Sequence, residues 1–216
     1  MKKIMMMVVA AFMATANANA QFDEGVISLQ PMLGVGVSTF TNADKINKDN
    51  QMTGAALLGV EFEYQMTDKF SLAAGLNYTL QGMGYKDVDV IWNAGKVSAK
   101  NVRQEMGYVK IPVVANYYFA KGWAVKAGVQ LGFLTNAAHK YTAESGKETI
   151  DYSLDNKSSY ETFDFSIPFG ISYQFKKPWV IDARYQLGLT NVVKDSGDEK
   201  FKNSVFMITV GYKFAL

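Results

Sequence analysis

The chain has 216 residues, 22 of them basic and 20 acidic, with one His and no Cys. The lack of Cys excludes disulfides, thiolate metal sites and a lipid-modified Cys. The near-balanced charge gives no electrostatic footing for nucleic acid, so no nucleic-acid partner is expected.

Lys2 and Lys3 precede a short apolar run, 4–14, and Ala18-Asn19-Ala20 has the small-x-small spacing of a signal-peptidase site. The run is about half of the roughly 20 residues that a spanning helix needs. Residues 1–20 therefore read as a cleaved signal peptide and residues 21–216 as one domain. Without the two leader lysines, 20 basic residues face 20 acidic ones.

Beyond the leader, eight segments alternate with a period of two, which sends successive side chains to opposite faces of a strand. In 27–40 the apolar positions include Leu29, Leu33, Val35 and Val37. In 54–66 they are Ala56, Leu58, Val60, Phe62, Tyr64 and Met66, and in 70–85 they run from Phe70 to Leu80. Segment 102–119 carries Val109, Ile111, Val113, Ala115, Tyr117 and Phe119, and segment 123–134 carries Trp123, Val125, Val129, Leu131 and Phe133. The sixth segment, 163–175, alternates over thirteen residues with Phe at both ends, longer than most soluble strands need. Segments 179–189 and 204–214 repeat the pattern and end near Leu189 and Phe214.

The connections alternate too. Tight polar turns at 67–69, 120–122 and 176–178 separate long polar stretches at 41–53, 86–101, 137–159 and 191–203. Short turns at one end and long loops at the other describe an outer-membrane barrel, with the short side periplasmic. The expected fold is all-β: a single eight-stranded antiparallel up-and-down transmembrane barrel. Its aromatics gather near the short turns. Tyr64, Phe70, Tyr117, Phe119, Trp123, Phe175, Trp179, Tyr212 and Phe214 would form a periplasmic girdle at the headgroup level. Phe133 and Phe163 are candidates for the opposite belt.

The rival architecture is a soluble barrel with its apolar face inward. The second face of the strands decides between the two. It is rich in Gly and carries Glu61, Glu63, Asp164 and Asp182 against Lys110, Lys126, Arg184 and Lys213. An eight-stranded barrel has room inside only for packed side chains, and buried charges persist only when paired. Four acids and four bases predict a closed, charge-paired lumen, with Asp164 reaching Lys110 across it. Pro31, Pro112 and Pro168 lie within strands and should each mark a bulge or an interrupted ladder bond.

Residues 108–114, Tyr-Val-Lys-Ile-Pro-Val-Val, followed by Asn116-Tyr117-Tyr118-Phe119, resemble the fourth-strand signature of the PorT-like outer-membrane β-barrel family. Residues 78–84, 183–191 and 208–214 resemble its third, seventh and closing strands. The resemblance implies an integral barrel in the outer membrane of a Gram-negative bacterium, embedded in outer-membrane lipid and inserted by the barrel-assembly machinery. It implies no reaction and no cofactor. One member type is linked to secretion across the outer membrane. Two residues follow Phe214, a departure from a terminal Phe, although Leu216 keeps the outward parity.

Catalytic chemistry finds little support. His139, with Ser153 or Ser159 and Glu144 or Glu161, would be the material for a lipid hydrolase, but these are predicted loop residues without fixed geometry. Asp87, Asp89, Asp151 and Asp155 lack the spacing of a calcium loop. Residues 141–152 hold a Ser-Gly turn between β-formers, so a hairpin above the membrane with recruitable edges competes with a solvated loop. The expected function is non-enzymatic: a barrel acting through its loops or periplasmic rim as a binding, structural or secretion-accessory component, with a surface ligand or secretion component as partner. The alternatives are a small pore and, further off, a lipid-modifying enzyme.

Overall fold

A computed structural model describes residues 23–216, apart from 47, 93–94, 146–147 and 176–177. The predicted leader, the Lys176-Lys177 pair of the third short turn and Gly146 of the Ser-Gly turn lie outside the described residues. In chain order the strands are β1 (Ile27–Phe40), β2 (Asn50–Gln51), β3 (Thr53–Thr67), β4 (Phe70–Tyr85), β5 (Val88–Trp92) and β6 (Gly95–Ala120). They continue as β7 (Trp123–Ser145), β8 (Glu148–Asp155), β9 (Phe163–Gln174), β10 (Trp179–Gly188), β11 (Asn203–Tyr212) and β12 (Phe214–Ala215), and one short helix, α1, spans Ala43–Ile46.

Eight of these strands close a ring. β1 pairs with β3, β3 with β4, β4 with β6, β6 with β7, β7 with β9, β9 with β10, β10 with β11, and β11 returns to β1, all antiparallel. Closure removes the sheet edges, the condition for strands to stand in hydrocarbon. The apolar face points out. Leu33 is 65% exposed and Val35 70%, whereas the alternate positions of the same walls are buried polar groups such as Gln30, Asn77, Gln130 and Thr209. A soluble barrel would show the reverse.

The outward apolar positions on β4 run from Phe70 to Leu80. Eleven residues at about 3.3 Å each, tilted by roughly 40°, span about 25–28 Å, the height of a barrel's lipid-facing band. β6 and β7 continue well past it. The predicted loops at 86–101 and 137–159 are therefore largely strand: β5 pairs with β6, and β8 pairs with β7 from Ala138↔Asp155 to Ser145↔Glu148. Above the band both faces of a strand meet water, so the alternation that reveals the barrel strands fades.

The three internal prolines sit at ladder interruptions, without a register shift. β1 and β11/β12 keep one register on both sides of a gap beside Pro31, β4 and β6 do so beside Pro112, and β7 and β9 beside Pro168. Each residue lacks the N–H that the ladder would use. The register shifts lie elsewhere, at Gln65/Thr67, Lys100/Arg103, Gly107/Tyr108 and Tyr118/Ala120. The third of these skips Thr135, after which Leu134 and Ala137 are both buried.

Near the short turns, Tyr64, Phe70, Tyr117, Phe119, Trp123, Phe175 and Trp179 are exposed, with rings of Phe70 and Tyr117 4.8 Å apart and of Trp179 and Tyr212 5.2 Å apart. Phe214 departs from the expected girdle: it is only 4% exposed. The closing ladder is interrupted at Lys213, whose N–H donates to the Pro178 carbonyl, and Phe214 keeps the parity of its register partner Leu29, its ring 6.3 Å from that of Tyr212.

Inside, close packing leaves no space for a β-carbon at several wall positions. A Cβ on Gly128 would collide with the Val113 carbonyl oxygen, and one on Gly170 with that of Ala183. Gly128→Val should therefore block closure between β6 and β7, overpacking costing about 1–3 kcal/mol before any backbone shift. The measurement is the fraction of protein showing a heat-dependent gel shift after folding into lipid vesicles. A large loss is expected for Gly128→Val, and none for the neighbouring outward change Val129→Leu.

Candidate functional site

The interior is built in layers. Nearest the short turns, β3, β7 and β10 bring Glu61, Lys126, Asp182 and Arg184 together, all nearly inaccessible to solvent. Arg184 donates from Nε and Nη2 to the two carboxylate oxygens of Asp182 at 2.9 Å each, and from Nη1 to Glu61 at 2.7 Å. Lys126 Nζ lies 2.7 Å from Asp182 and 3.4 Å from Glu61. Beside this quartet, Lys213 Nζ is 2.8 Å from Glu63, whose other oxygen accepts from Ser71 at 2.8 Å and from the Tyr118 hydroxyl. Three acids meet three bases, so the layer is neutral, and its bidentate arginine supplies the geometry that a desolvated pair requires.

The middle layer is polar without being paired. Lys110 Nζ donates to Gln81 at 2.6 Å and to Gln186 at 2.7 Å, and Gln130 donates to Gln186 and to Ser166. Asp164 accepts from Asn203 at 3.0 Å and Thr190 at 3.4 Å. The expected Lys110–Asp164 pair is not formed. Both residues do occupy one ladder row, since each is the register partner of Gly132. The lysine turns to two amide oxygens instead, and one Asp164 oxygen is left without a protein partner. A separate apolar patch of Met32, Ala55, Leu57, Val205 and Met207 fills the wall under β1, β3 and β11.

The far mouth is closed by a feature that period-two reading misses. Ala43 of α1 and Val192 and Phe201 of the 189–202 connection pack on Phe40, Met83, Met106, Tyr108, Leu134 and Ala137. Asn191 holds that connection: its Oδ1 accepts from the Phe201 N–H at 2.8 Å, and its Nδ2 donates to Ser196 at 2.8 Å. The sequence signal was present as apolar residues stranded in polar loops.

The hydrolase candidates are not brought together. His139 pairs with Leu154 across β7 and β8, while Ser153 pairs with Lys140, so the His and the Ser point to opposite faces of the sheet. The His139 ring lies 5.7 Å from that of Tyr85 and 6.3 Å from that of Tyr141, and partial burial pushes its imidazole below its usual pKa. The acidic candidates serve local structure. Asp87 accepts from the Asn101 N–H at 3.0 Å, Asp151 from the Thr142 hydroxyl at 2.7 Å, and Asp155 from the Lys157 N–H at 2.9 Å. The side chains of Asp89 and Glu144 lie outside the described residues. No cluster of metal-ligating residues occurs among the described residues.

Above the band, β5, β6, β7 and β8 form one continuous sheet. Tyr141 and Tyr152 stack across it, 5.0 Å apart and 14° from parallel. Lys140 pairs with Glu105, and a Gln104–Asn156 amide pair ties the sheet to the loop after β8 at 2.8 and 2.9 Å. Ile150 and Leu154 are exposed.

Comparison with known proteins places these features in context. Residues 19–194 match the family model described as outer membrane protein beta-barrel domain. No curated protein matches the chain. Among solved structures, the attachment invasion locus protein Ail of Yersinia pestis is similar at 12% identity and TM-score 0.47, covering 88% of this chain and 99% of that one. Neisserial surface protein A is similar at 10% identity and TM-score 0.45, covering 88% and 97%. OprG of Pseudomonas aeruginosa is similar at 12% identity and TM-score 0.41, covering 92% and 99%.

Two of the four buried lumen cations, Arg184 and Lys110, should differ in their contribution to stability. Arg184→Met leaves Glu61 and Asp182 to share Lys126 and should cost about 3–5 kcal/mol, the usual penalty for breaking a buried ion pair. Lys110→Met takes one donor from each of two neutral amides, Gln81 and Gln186, which keep Thr79 and Gln130, and should cost about 1–3 kcal/mol. Equilibrium unfolding in urea from lipid vesicles reads both values, and the order is the prediction.

Proposed function

The chain belongs to the outer membrane protein β-barrel domain family and is integral to the bacterial outer membrane, and we propose that it acts there as a non-enzymatic binding component through the sheet above its barrel. The observation that carries this reading is the length of β6 and β7, 26 and 23 residues, where about 9–11 suffice to cross a membrane. The surplus, with β5 and β8, builds a projecting platform. β8 pairs on one side only among the described residues, with β7. Its second edge offers backbone donors and acceptors to an incoming strand, the β-addition mode, with Ile150 and Leu154 as side-chain anchors.

A role in conduction is not supported. The salt-bridged lower layer and the apolar cap over the mouth both obstruct the lumen, which favours a closed barrel over a small pore. The resemblance to the PorT-like family makes a secretion accessory a specific form of the binding role: a surface or periplasmic partner is engaged while another component conducts.

Two measurements test the proposal. In planar bilayers the protein should give no stepwise conductance, and regular channel steps would overturn the closed-lumen reading. Replacing residues 141–152 by an Asn-Gly turn should leave the heat-dependent gel shift intact. The same change should abolish partner cross-links formed in cells from a photo-reactive residue at position 154, which the replacement retains. Cross-links arising instead from the short-turn rim, with none from the sheet, would move the binding site to the periplasmic side.

A further inference from the structure

The outer wall has a hollow where the lipid-facing band ends. The β3–β4 ladder runs up to Ala56↔Leu80 and stops. Just above, Gly82 adopts φ +152, a conformation that side chains disfavour, and its N–H turns inward to donate to Ser38 Oγ at 2.8 Å. Residues 81–84 are all buried as β4 bends toward the lumen, and Met83 joins the cap. The bend leaves an opening of about 190 Å³ between β3 and β6, bordered by Gly54, Ala56, Leu80, Arg103 and Glu105.

A second groove of about 580 Å³ lies directly below and shares Ala56 and Leu80 with the first. Its exposed lining is apolar: Leu33, Val35, Leu58, Tyr78, Ile208 and Val210. The wall thus carries one continuous track, hydrocarbon-like below and polar at its upper end. Arg103 stands at that end, with Nε 3.7 Å from Glu105 and Nη1 donating to the Asn101 carbonyl at 3.4 Å. Its Nη2 has no partner among the described residues. Lys140, the register partner of Arg103, pairs with the same Glu105.

We infer that this track is a binding site for a single membrane lipid with a phosphate-bearing headgroup. The acyl chain lies along the apolar groove. The headgroup enters the hollow, where Arg103 Nη2 donates to a phosphate oxygen in a charge-assisted bond. The site sits at the end of the band away from the short turns, which places the lipid in the leaflet on that side. The ladder break gives a further reason for occupancy. β4 pairs with β3 up to Ala56↔Leu80 and with β2 again from Gln51↔Gly84, and the backbone groups in the gap between call for a polar partner at the membrane interface.

Native mass spectrometry of the folded barrel, exchanged into mild detergent with phosphatidylglycerol, tests the site. The expected spectrum has one lipid retained at collision energies that strip the rest, with weaker retention of a phosphate-free monogalactosyl diacylglycerol. Arg103→Gln should lower occupancy about tenfold, the loss of one charge-assisted contact. Ala56→Phe, which fills the groove from the lipid side, should lower it as much. Both variants must keep the heat-dependent gel shift. Unchanged retention in either folded variant, or equal retention of the two lipids, would overturn the assignment.

Discussion

Closing eight strands on themselves satisfies the backbone in hydrocarbon, but it turns half of the side chains into a space too narrow for bulk water. The contents of that space decide whether the ring is stable. Here they are charged. Glu61, Asp182, Lys126 and Arg184 neutralise one another within hydrogen-bonding distance, and Glu63 and Lys213 do so beside them. Any one of these ions alone would be costly in a dry interior. Together they bind β3, β7, β10 and the closing strand across the lumen, contacts that backbone ladders between neighbours cannot provide.

That interior ordering has consequences at both ends. Toward the short turns the salt-bridged layer lies across the lumen and exposed aromatics ring the outer wall. Toward the other end the filling changes character, from ions to the apolar cap built by Phe40, Met83, Tyr108, Val192 and Phe201. Bringing Met83 into the cap requires β4 to bend inward at Gly82. The hollow on the outer wall is the other face of that bend. The projecting sheet grows from β6 and β7, which continue past the band. Lid, hollow and platform are therefore three results of how the upper barrel is finished.

Much of the barrel was legible in the sequence, for a physical reason. A strand between lipid and a polar lumen must alternate, and where that contrast holds the boundaries follow closely: 27–40 and 70–85 were read as they stand. Above the band the contrast ends. Residues 95–101 of β6, 137–145 of β7 and the whole of β8 fall in stretches that read as loop, apart from the hairpin suggested at 141–152. Parity placed all eight lumen charges inside, and all eight are buried. It did not choose partners. Lys110 and Asp164 share a ladder row, yet side-chain direction and the amides of Gln81 and Gln186 decide the contact. Parity puts Phe214 on the face of Leu29 and Tyr212, but it does not foretell that the ring is buried there. The cap was missed because α1 and the 189–202 connection pack by tertiary contact alone.

The claim that a paired, dry charge cluster seals the barrel is most directly tested at Arg184. The chain has two arginines, Arg103 on the rim and Arg184 in the lumen. Nitrogen-15 NMR of the protein in lipid nanodiscs should therefore show two Nε–H resonances. With Arg184 bonded to Asp182 and Glu61 away from solvent, its Nε–H signal should persist at pH 8, where that of Arg103 is lost to exchange with water. Loss of both signals at the same pH would show that water reaches the cluster, and would contradict a sealed lumen.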